Sequence, residues 1–205
     1  MQALNGHKMP AGACLFTYMK RIIQESHSQN PLAQEATLEL SRMPMPWGLA
    51  WLVFYQGNLG FLCFQDPQED EARLRTLIYK RWPLPLNERS EKLARSDGQA
   101  VLDYWRGKRS TLPWSVHLRG TDLERAVWHA LLEISRGEVC SYQAIAERVG
   151  RPKAVRAVAS AIGRNPVSLL VPCHRVLRKN GALGGYAWGL SCKEALLKEE
   201  SVVLV

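Results

Sequence analysis

The chain has 205 residues, a formal net charge of +8 and a pI near 9.4. A hydrophobic share of 46% with 22% charged residues gives a globular protein with a sizeable core and excludes disorder as the default. No apolar run approaches the roughly 18 residues of a membrane span, and residues 1–18 lack the ordered charged and apolar regions of a secretory signal. The basic balance favours an acidic partner, with nucleic acid the first candidate.

The cysteines are Cys14, Cys63, Cys140, Cys173 and Cys192. An odd, scattered set with no C-x-x-C pair argues against a disulfide framework and against a zinc ribbon. A reducing compartment, the cytoplasm, is expected, with at least one thiol free to act as a nucleophile. His7, His27, His117 and His129 show no ligand spacing, so no metal site is expected.

In chain order, the first 45 or so residues are rich in Gln, Ser, Met and Pro and carry only a weak pattern. Residues 48–55 then read as a buried strand, 56–60 as a turn and 61–64 as a returning strand. Residues 69–82 have helical spacing through Ala72, Leu74, Leu77 and Ile78, and residues 97–105 form a shorter helix. These elements give an α/β N-terminal domain over residues 1–118. Residues 119–205 form a mainly helical C-terminal domain. Thr121 and Glu124 match a capping box, the stripe Leu123, Val127, Ala130, Leu131 and Ile134 follows, and Gly137 closes that helix. Ser141 caps a helix over 142–149 that Gly150 ends. Pro152 opens a third helix, with Val155, Val158, Ala161 and Ile162 apolar and Gly163 as its stop. This pair is a helix-turn-helix pattern. Ser191 and Glu194 repeat the capping box and start a last helix that reaches Glu200.

Cys173 beside His174 is the sharpest chemical feature. A thiol is mostly protonated at neutral pH, and a neighbouring base makes it a nucleophile. Adjacent residues point apart in a strand and about 100° apart on a helix, so a bridging water suits the pair better than direct contact. A carboxylate behind the imidazole would orient it; Glu194, Glu199 and Glu200 are the downstream candidates. A Cys-His dipeptide is also what a buried structural cysteine can present. From 147 to 179 the chain carries Arg148, Arg151, Lys153, Arg156, Arg164, Arg175, Arg178 and Lys179 against Glu147 alone. That cluster fits phosphate contact and equally fits a solvated helix face. The small residues Ala154, Ala157, Ala159, Ser160 and Ala161 would admit a groove, or would pack tightly in a core.

Residues 120–200 closely resemble the O6-alkylguanine-DNA alkyltransferases. The motifs match in order: Val127-Trp-His-Ala-Leu131, Gly137-Glu-Val-Cys-Ser-Tyr-Gln143, Gly150-Arg-Pro-Lys-Ala154, Asn165-Pro166, Pro172-Cys-His-Arg-Val176, Gly185-Tyr186 and Lys193 to Glu200. The N-terminal half resembles the family loosely, through the 47–64 hairpin and Tyr104-Trp-Arg-Gly-Lys108. The resemblance implies repair of double-stranded DNA containing O6-alkylguanine by a monomer, in a single turnover, with no cofactor. It implies that Cys173 takes the alkyl group while Glu200, His174 and a water draw off the thiol proton. Asn165 would brace the turn after the recognition helix, Tyr142 would crowd the target phosphate and bond guanine N3, and Arg156 would fill the vacated stack. Ala157 would lie on the DNA-facing helix. The carbonyls of Cys173 and Val176 would read the exocyclic amine, with Tyr186 and the Ala187 backbone near O6.

The chain departs from the family pattern in three places. Leu123-Glu124 stands where Phe-Gln is common, and Ala187 replaces a Ser. Trp188 replaces a common Gly, resembling the C-terminal domain of the bacterial adaptive-response protein, and should narrow the pocket. That protein's four-cysteine zinc domain has no counterpart cysteines here, and the alkyltransferase-like proteins without an acceptor cysteine are excluded by Cys173. Two rival readings are a non-catalytic helix-turn-helix regulator and a cysteine hydrolase built on Cys173, His174 and Glu200.

Overall fold

The computed structural model describes residues 19, 22–33, 35–66 and 70–203. The absence of a leader pattern over residues 1–18, and Cys14, lie outside the described residues. Six strands form one sheet in the order β1-β6-β4-β3-β2-β5: β1 Ile23–His27, β2 Leu38–Met45, β3 Gly48–Tyr55, β4 Asn58–Gln65, β5 Leu86–Glu88 and β6 Val116–Gly120. The expected strand pair is β3 and β4, antiparallel with Tyr55 opposite Asn58. The turn is tighter than expected: only Gln56 and Gly57 sit between the strands, both at positive φ, as a two-residue hairpin that follows the strand twist requires. Both strands are buried along most of their length, so they read as apolar runs rather than alternation.

The sequence pattern missed β1, β2, β5 and β6. β1 carries Gln24, Glu25 and Ser26, and β2 contains Pro44, which would break a central strand. β5 pairs only with residues 38–40 of β2, so Pro44 lies on an open stretch where its missing N–H costs nothing. β6 runs parallel to β1, and the boundary expected near Arg119 falls inside this strand. Arg119 is buried and donates to the carbonyls of His27, Ser28, Asn30 and Arg81, tying the chain at the end of β1 to Arg81.

Helix α1, Glu71–Arg81, is capped by Asp70, whose carboxylate accepts from the Ala72 N–H, and buries Leu74 and Ile78. Helix α2 spans Glu91–Trp105, starting six residues before the expected Asp97. Ser90 caps it and its first turn is solvent-facing, so no apolar stripe marks that end. Gly98 permits the helix to press on β2: a Cβ there would meet Met43 Sδ at 2.5 Å.

The remaining elements are mainly helical. α3 is Asp122–Leu132, α4 Tyr142–Arg148, α5 Val155–Gly163 and α6 Leu190–Glu199, with a short parallel pair β7 Cys140–Ser141 and β8 Val176–Leu177. Thr121 and Glu124 close the capping box on α3, and Ser141 caps α4 through the Ala144 N–H. Three boundaries differ from expectation. α3 stops at Leu132, and Gly137 serves a following turn at φ +80°. α5 begins at Val155 after Ala154, leaving Pro152 in the turn before it. α6 begins at Leu190 with Gly189 as its cap, so Ser191 lies inside the first turn and makes no cap bond.

The sheet reaches the helical part through β4. The Leu62 N–H donates to the Pro166 carbonyl at 2.8 Å and the Ser168 N–H to the Leu62 carbonyl at 2.9 Å. Beyond Leu59, where β6 pairs with β4, residues 166–168 take over that edge. The chain leading to Cys173 is therefore fastened to the sheet.

Candidate active site

Cys173 opens a 3-10 turn, Cys173–Arg175, after Pro172. Successive side chains on such a turn diverge by about 120°, so Cys173 and His174 face different surroundings. Cys173 borders a cleft of about 560 Å³ between α4, α5 and the 184–188 loop. His174 is fully buried, and its Nε2 lies 3.1 Å from Glu200 Oε1. Its Nδ1 has no partner among the described residues. Glu200 caps α6, and of the three downstream carboxylates it is the one that reaches the imidazole. Glu199 instead pairs with Arg106 at 2.9 Å, and Glu194 is exposed.

Arg175 holds the carboxylate in place. Its Nε donates to Glu200 Oε2 at 2.8 Å, one terminal nitrogen to Oε1 at 2.7 Å, and the other to the Ile134 carbonyl at 2.7 Å. This overturns its place in the basic surface cluster: Arg175 is buried and spent on Glu200. Arg164 is likewise paired, donating to Glu124 at 2.6 Å. Arg148, Arg151, Lys153, Arg156, Arg178 and Lys179 remain exposed.

Electrostatics follow from burial and pairing. Burial works against the Glu200 charge, but hydrogen bonds from His174 and Arg175 outweigh it and bring its pKa down to about 2. Burial lowers the His174 pKa despite Glu200, so the imidazole rests neutral and able to accept a proton. Burial pushes the Cys173 thiol up, opposed by Asn165, Ser168 and Lys193. The resting thiol is thus protonated, with an uncharged base behind it.

Asn165 is buried where α5 gives way to the active segment. Its Nδ2 donates to the Val171 carbonyl at 2.7 Å and to Cys173 Sγ at 3.1 Å, while its Oδ1 accepts from the Val167 N–H at 3.0 Å. Tyr142, Arg156, Tyr186, Ala187 and Trp188 line the cleft with Cys173. Ala157 does not; it is exposed on α5. Gly184 lies at φ +66°, and a Cβ there would come within 2.9 Å of the Tyr142 hydroxyl, so a glycine is needed for the loop to approach α4. Val176 is buried, and its carbonyl accepts from Lys193 Nζ at 2.6 Å. Lys193 is itself buried; burial lowers its pKa to about 8, and it also donates to the Leu183 carbonyl. Trp188 is buried and its indole N–H donates to Ser168 Oγ, so it forms part of the cleft wall rather than packing outward.

Sequence reasoning counted Arg175 among the basic residues rather than as the partner of Glu200, gave Lys193 only as the start of a family motif, and missed Ser168, because the burial of a Lys or a Ser leaves no sequence signal of its own. Among the described residues, no group of three or more His, Cys, Asp or Glu side chains could hold a metal ion.

Sheet, helices and cleft bring the Cys173 thiol, a neutral imidazole and an ionised carboxylate into one region of the fold. A family model described as 6-O-methylguanine DNA methyltransferase, DNA binding domain, matches residues 122–202. The inducible methylated-DNA–protein-cysteine methyltransferase of Bacillus subtilis is 36% identical over 168 residues, covering 80% of this chain and 94% of that protein. The bifunctional transcriptional activator/DNA repair enzyme Ada of Escherichia coli is 38% identical over 133 residues, 65% of this chain; the chain spans only 38% of Ada's length. The crystal structure of Mycobacterium tuberculosis O6-methylguanine methyltransferase has a TM-score of 0.62 at 32% identity, over 80% of this chain and 93% of that one. A second structure of that protein, in complex with DNA, matches equally. The chain belongs to the methylated-DNA–protein-cysteine methyltransferase family.

Proposed function

We propose that this chain repairs DNA by moving an alkyl group from O6 of guanine to its own Cys173, once per molecule. The observation that carries this is the buried Cys173 thiol at the cleft wall, with a neutral His174 braced by an ionised Glu200. The thiol proton passes through a water to His174 Nδ1, and Glu200 stabilises the imidazolium that forms. The sulfur then attacks the alkyl carbon: the carbon–sulfur bond forms, the carbon–O6 bond breaks, and guanine leaves with the electron pair and takes up a proton. A thioether offers water no easy hydrolysis route, so the protein is spent.

O6 lies inside the duplex, so the base must rotate into the cleft, and a damaged pair lowers the flipping cost. We take α4 and α5 as a helix-turn-helix that lies along the minor groove of double-stranded DNA, with Ala157 at the close approach and the exposed Arg148, Arg151 and Lys153 on phosphates. Tyr142 crowds the target phosphate and reaches guanine N3, and Arg156 fills the gap in the stack. The carbonyls of Cys173 and Val176 accept from the exocyclic amine, Val176 with the lone pair that Lys193 leaves free. Tyr186 and the Ala187 backbone sit near O6. The helical domain begins at the end of β6, and a monomer suffices.

Intact-mass measurement after incubation with methylated duplex DNA should show one added methyl, on Cys173, with none in Cys173→Ser. Label on Cys140 or Cys192, or repeated turnover, would overturn the reading.

A further inference from the structure

A second cleft, of about 460 Å³, adjoins the Cys173 cleft; Gly163, Asn165, Ala187 and Trp188 border both. Helix α1 lines it with Arg73, Leu77, Lys80 and Arg81, which share one helix face, and Arg164 lines it from the end of α5. Four cationic side chains thus meet Glu124, the one acid in the lining. Folding explains two of the four. Arg164 donates to Glu124 at 2.6 Å, Arg81 lies 3.9 Å from the same carboxylate, and Arg81 also donates to the Arg119 and Arg164 carbonyls. Lys80 takes no part in this: it is exposed, with no hydrogen bond or ion pair from its side chain among the described residues. Glu71 of the same helix is engaged elsewhere, by Arg42 and Arg75.

We propose that this cleft is a phosphate site for the DNA backbone beyond the flipped nucleotide, and that α1 thereby brings the sheet-containing half of the chain into DNA binding. This rests on the duplex lying on α5, as the functional reading has it. α5 has nine residues and is about 13 Å long, so a duplex seated on it runs past both ends. Arg151 and Lys153 stand before its first turn, and Arg156 near its start lines the Cys173 cleft. The second cleft stands at its other end. A helix C-terminus carries a partial negative charge and by itself repels phosphate. Cations supplied there by a different element reverse that sign, and Lys80 and Arg73 are placed to do so. The cleft then grips the backbone without reading bases, as repair at any sequence requires.

The test is fluorescence anisotropy of a labelled, undamaged duplex titrated with the full chain across a salt series, with far-UV circular dichroism to confirm folding. Lys80→Gln should weaken binding several-fold at low salt, alike for different sequences. It should also make the slope of log affinity on log salt shallower by about 0.9, the share of one phosphate. Replacing Arg73 by Gln as well should cost more, and Lys80→Arg should restore the parent slope. Lys153→Gln, at the other end of α5, sets the scale for a phosphate contact. If the Lys80→Gln and double variants bind as the parent does while Lys153→Gln binds more weakly, the DNA stops short of this cleft and the proposal alone fails. No recovery in folded Lys80→Arg also overturns it. Thermal stabilisation by inorganic phosphate that Lys80→Gln removes, with DNA binding unmoved, would make this a small-anion site and overturn the DNA assignment. A parent that neither binds the duplex nor takes methyl from it sinks the functional reading and this proposal together.

Discussion

Arg175 illustrates how much one buried side chain can hold in place. It neutralises Glu200, anchors the end of α3 through Ile134, and so fixes the carboxylate that orients His174. Removing one partner of a buried ion pair strands the other charge and typically costs about 3–5 kcal/mol. Arg175→Ala should lower the unfolding free energy obtained from a urea titration by an amount of that size. A loss of DNA affinity with unchanged stability would instead restore Arg175 to the phosphate-binding surface. The same pair sets a pH dependence. The folded Glu200 pKa is about 2, below its ordinary value of 4.5. Its contribution to stability is therefore present above that ordinary value and lost as pH falls from there toward 2. Urea midpoints measured down this window should fall more steeply in the parent than in Glu200→Gln. Arg156 is different, being exposed while lining the cleft. Arg156→Ala should slow repair of duplex DNA far more than reaction with free O6-methylguanine, since free base has no stack to fill. Equal losses on both substrates would point to a structural arginine.

Single elements meet at a few shared residues. Glu124 completes the capping box of α3 and also binds Arg164 at the end of α5, with Arg81 of α1 3.9 Å away. Thr121→Ala removes only a cap and should cost about 1 kcal/mol. Glu124→Ala also removes the counter-charge beside the largely buried Arg81 and the hydrogen-bond acceptor of Arg164, so it should cost clearly more, as read by thermal unfolding of the two variants side by side. The 184–189 loop is the second such junction. Trp188 stands between the Cys173 cleft and a neighbouring cleft of about 460 Å³ lined by Phe61, Arg81 and Arg164. Trp188→Gly should merge the two spaces and speed reaction with O6-benzylguanine relative to O6-methylguanine in DNA. A relieved clash is worth on the order of 1–3 kcal/mol, or roughly ten- to hundredfold in rate. Loss of the buried indole should also cost about 3–5 kcal/mol of stability. An unchanged rate ratio would show that Trp188 does not gate the cleft.

Across the whole molecule, the sheet and the helical part share hydrogen bonds close to the segment that leads to Cys173. Leu62 exchanges backbone bonds with residues 166 and 168, while Arg136 donates to the Trp105 carbonyl and stacks on that indole with its centroid at 4.3 Å. Arg106 pairs with Glu199, one residue before Glu200. Because these ties converge on the active segment, unfolding should be a single cooperative transition, coincident by tryptophan fluorescence and far-UV circular dichroism. Two separated transitions would show that the sheet is a passive neighbour and that the helical domain holds its site alone.

What the sequence determined by itself was local or motif-bound. The β3–β4 hairpin, the Thr121 and Ser141 caps, the α4–α5 pair and the Cys173-His174 dipeptide each follow from residues a few positions apart, where turn chemistry and periodicity act directly. The tertiary structure decided what depends on distant partners. β1 and β6 became strands because they pair with each other across more than ninety residues, despite polar or short sequences. Glu200 was separated from Glu194 and Glu199 by where α6 ends against the buried imidazole, and Arg175 turned inward because that carboxylate needed a cation. Burial is a property of the assembled core, so the fates of Ser168, Trp188 and Lys193, which lie around the Cys173 sulfur, were fixed only once the sheet packed against the 166–173 segment.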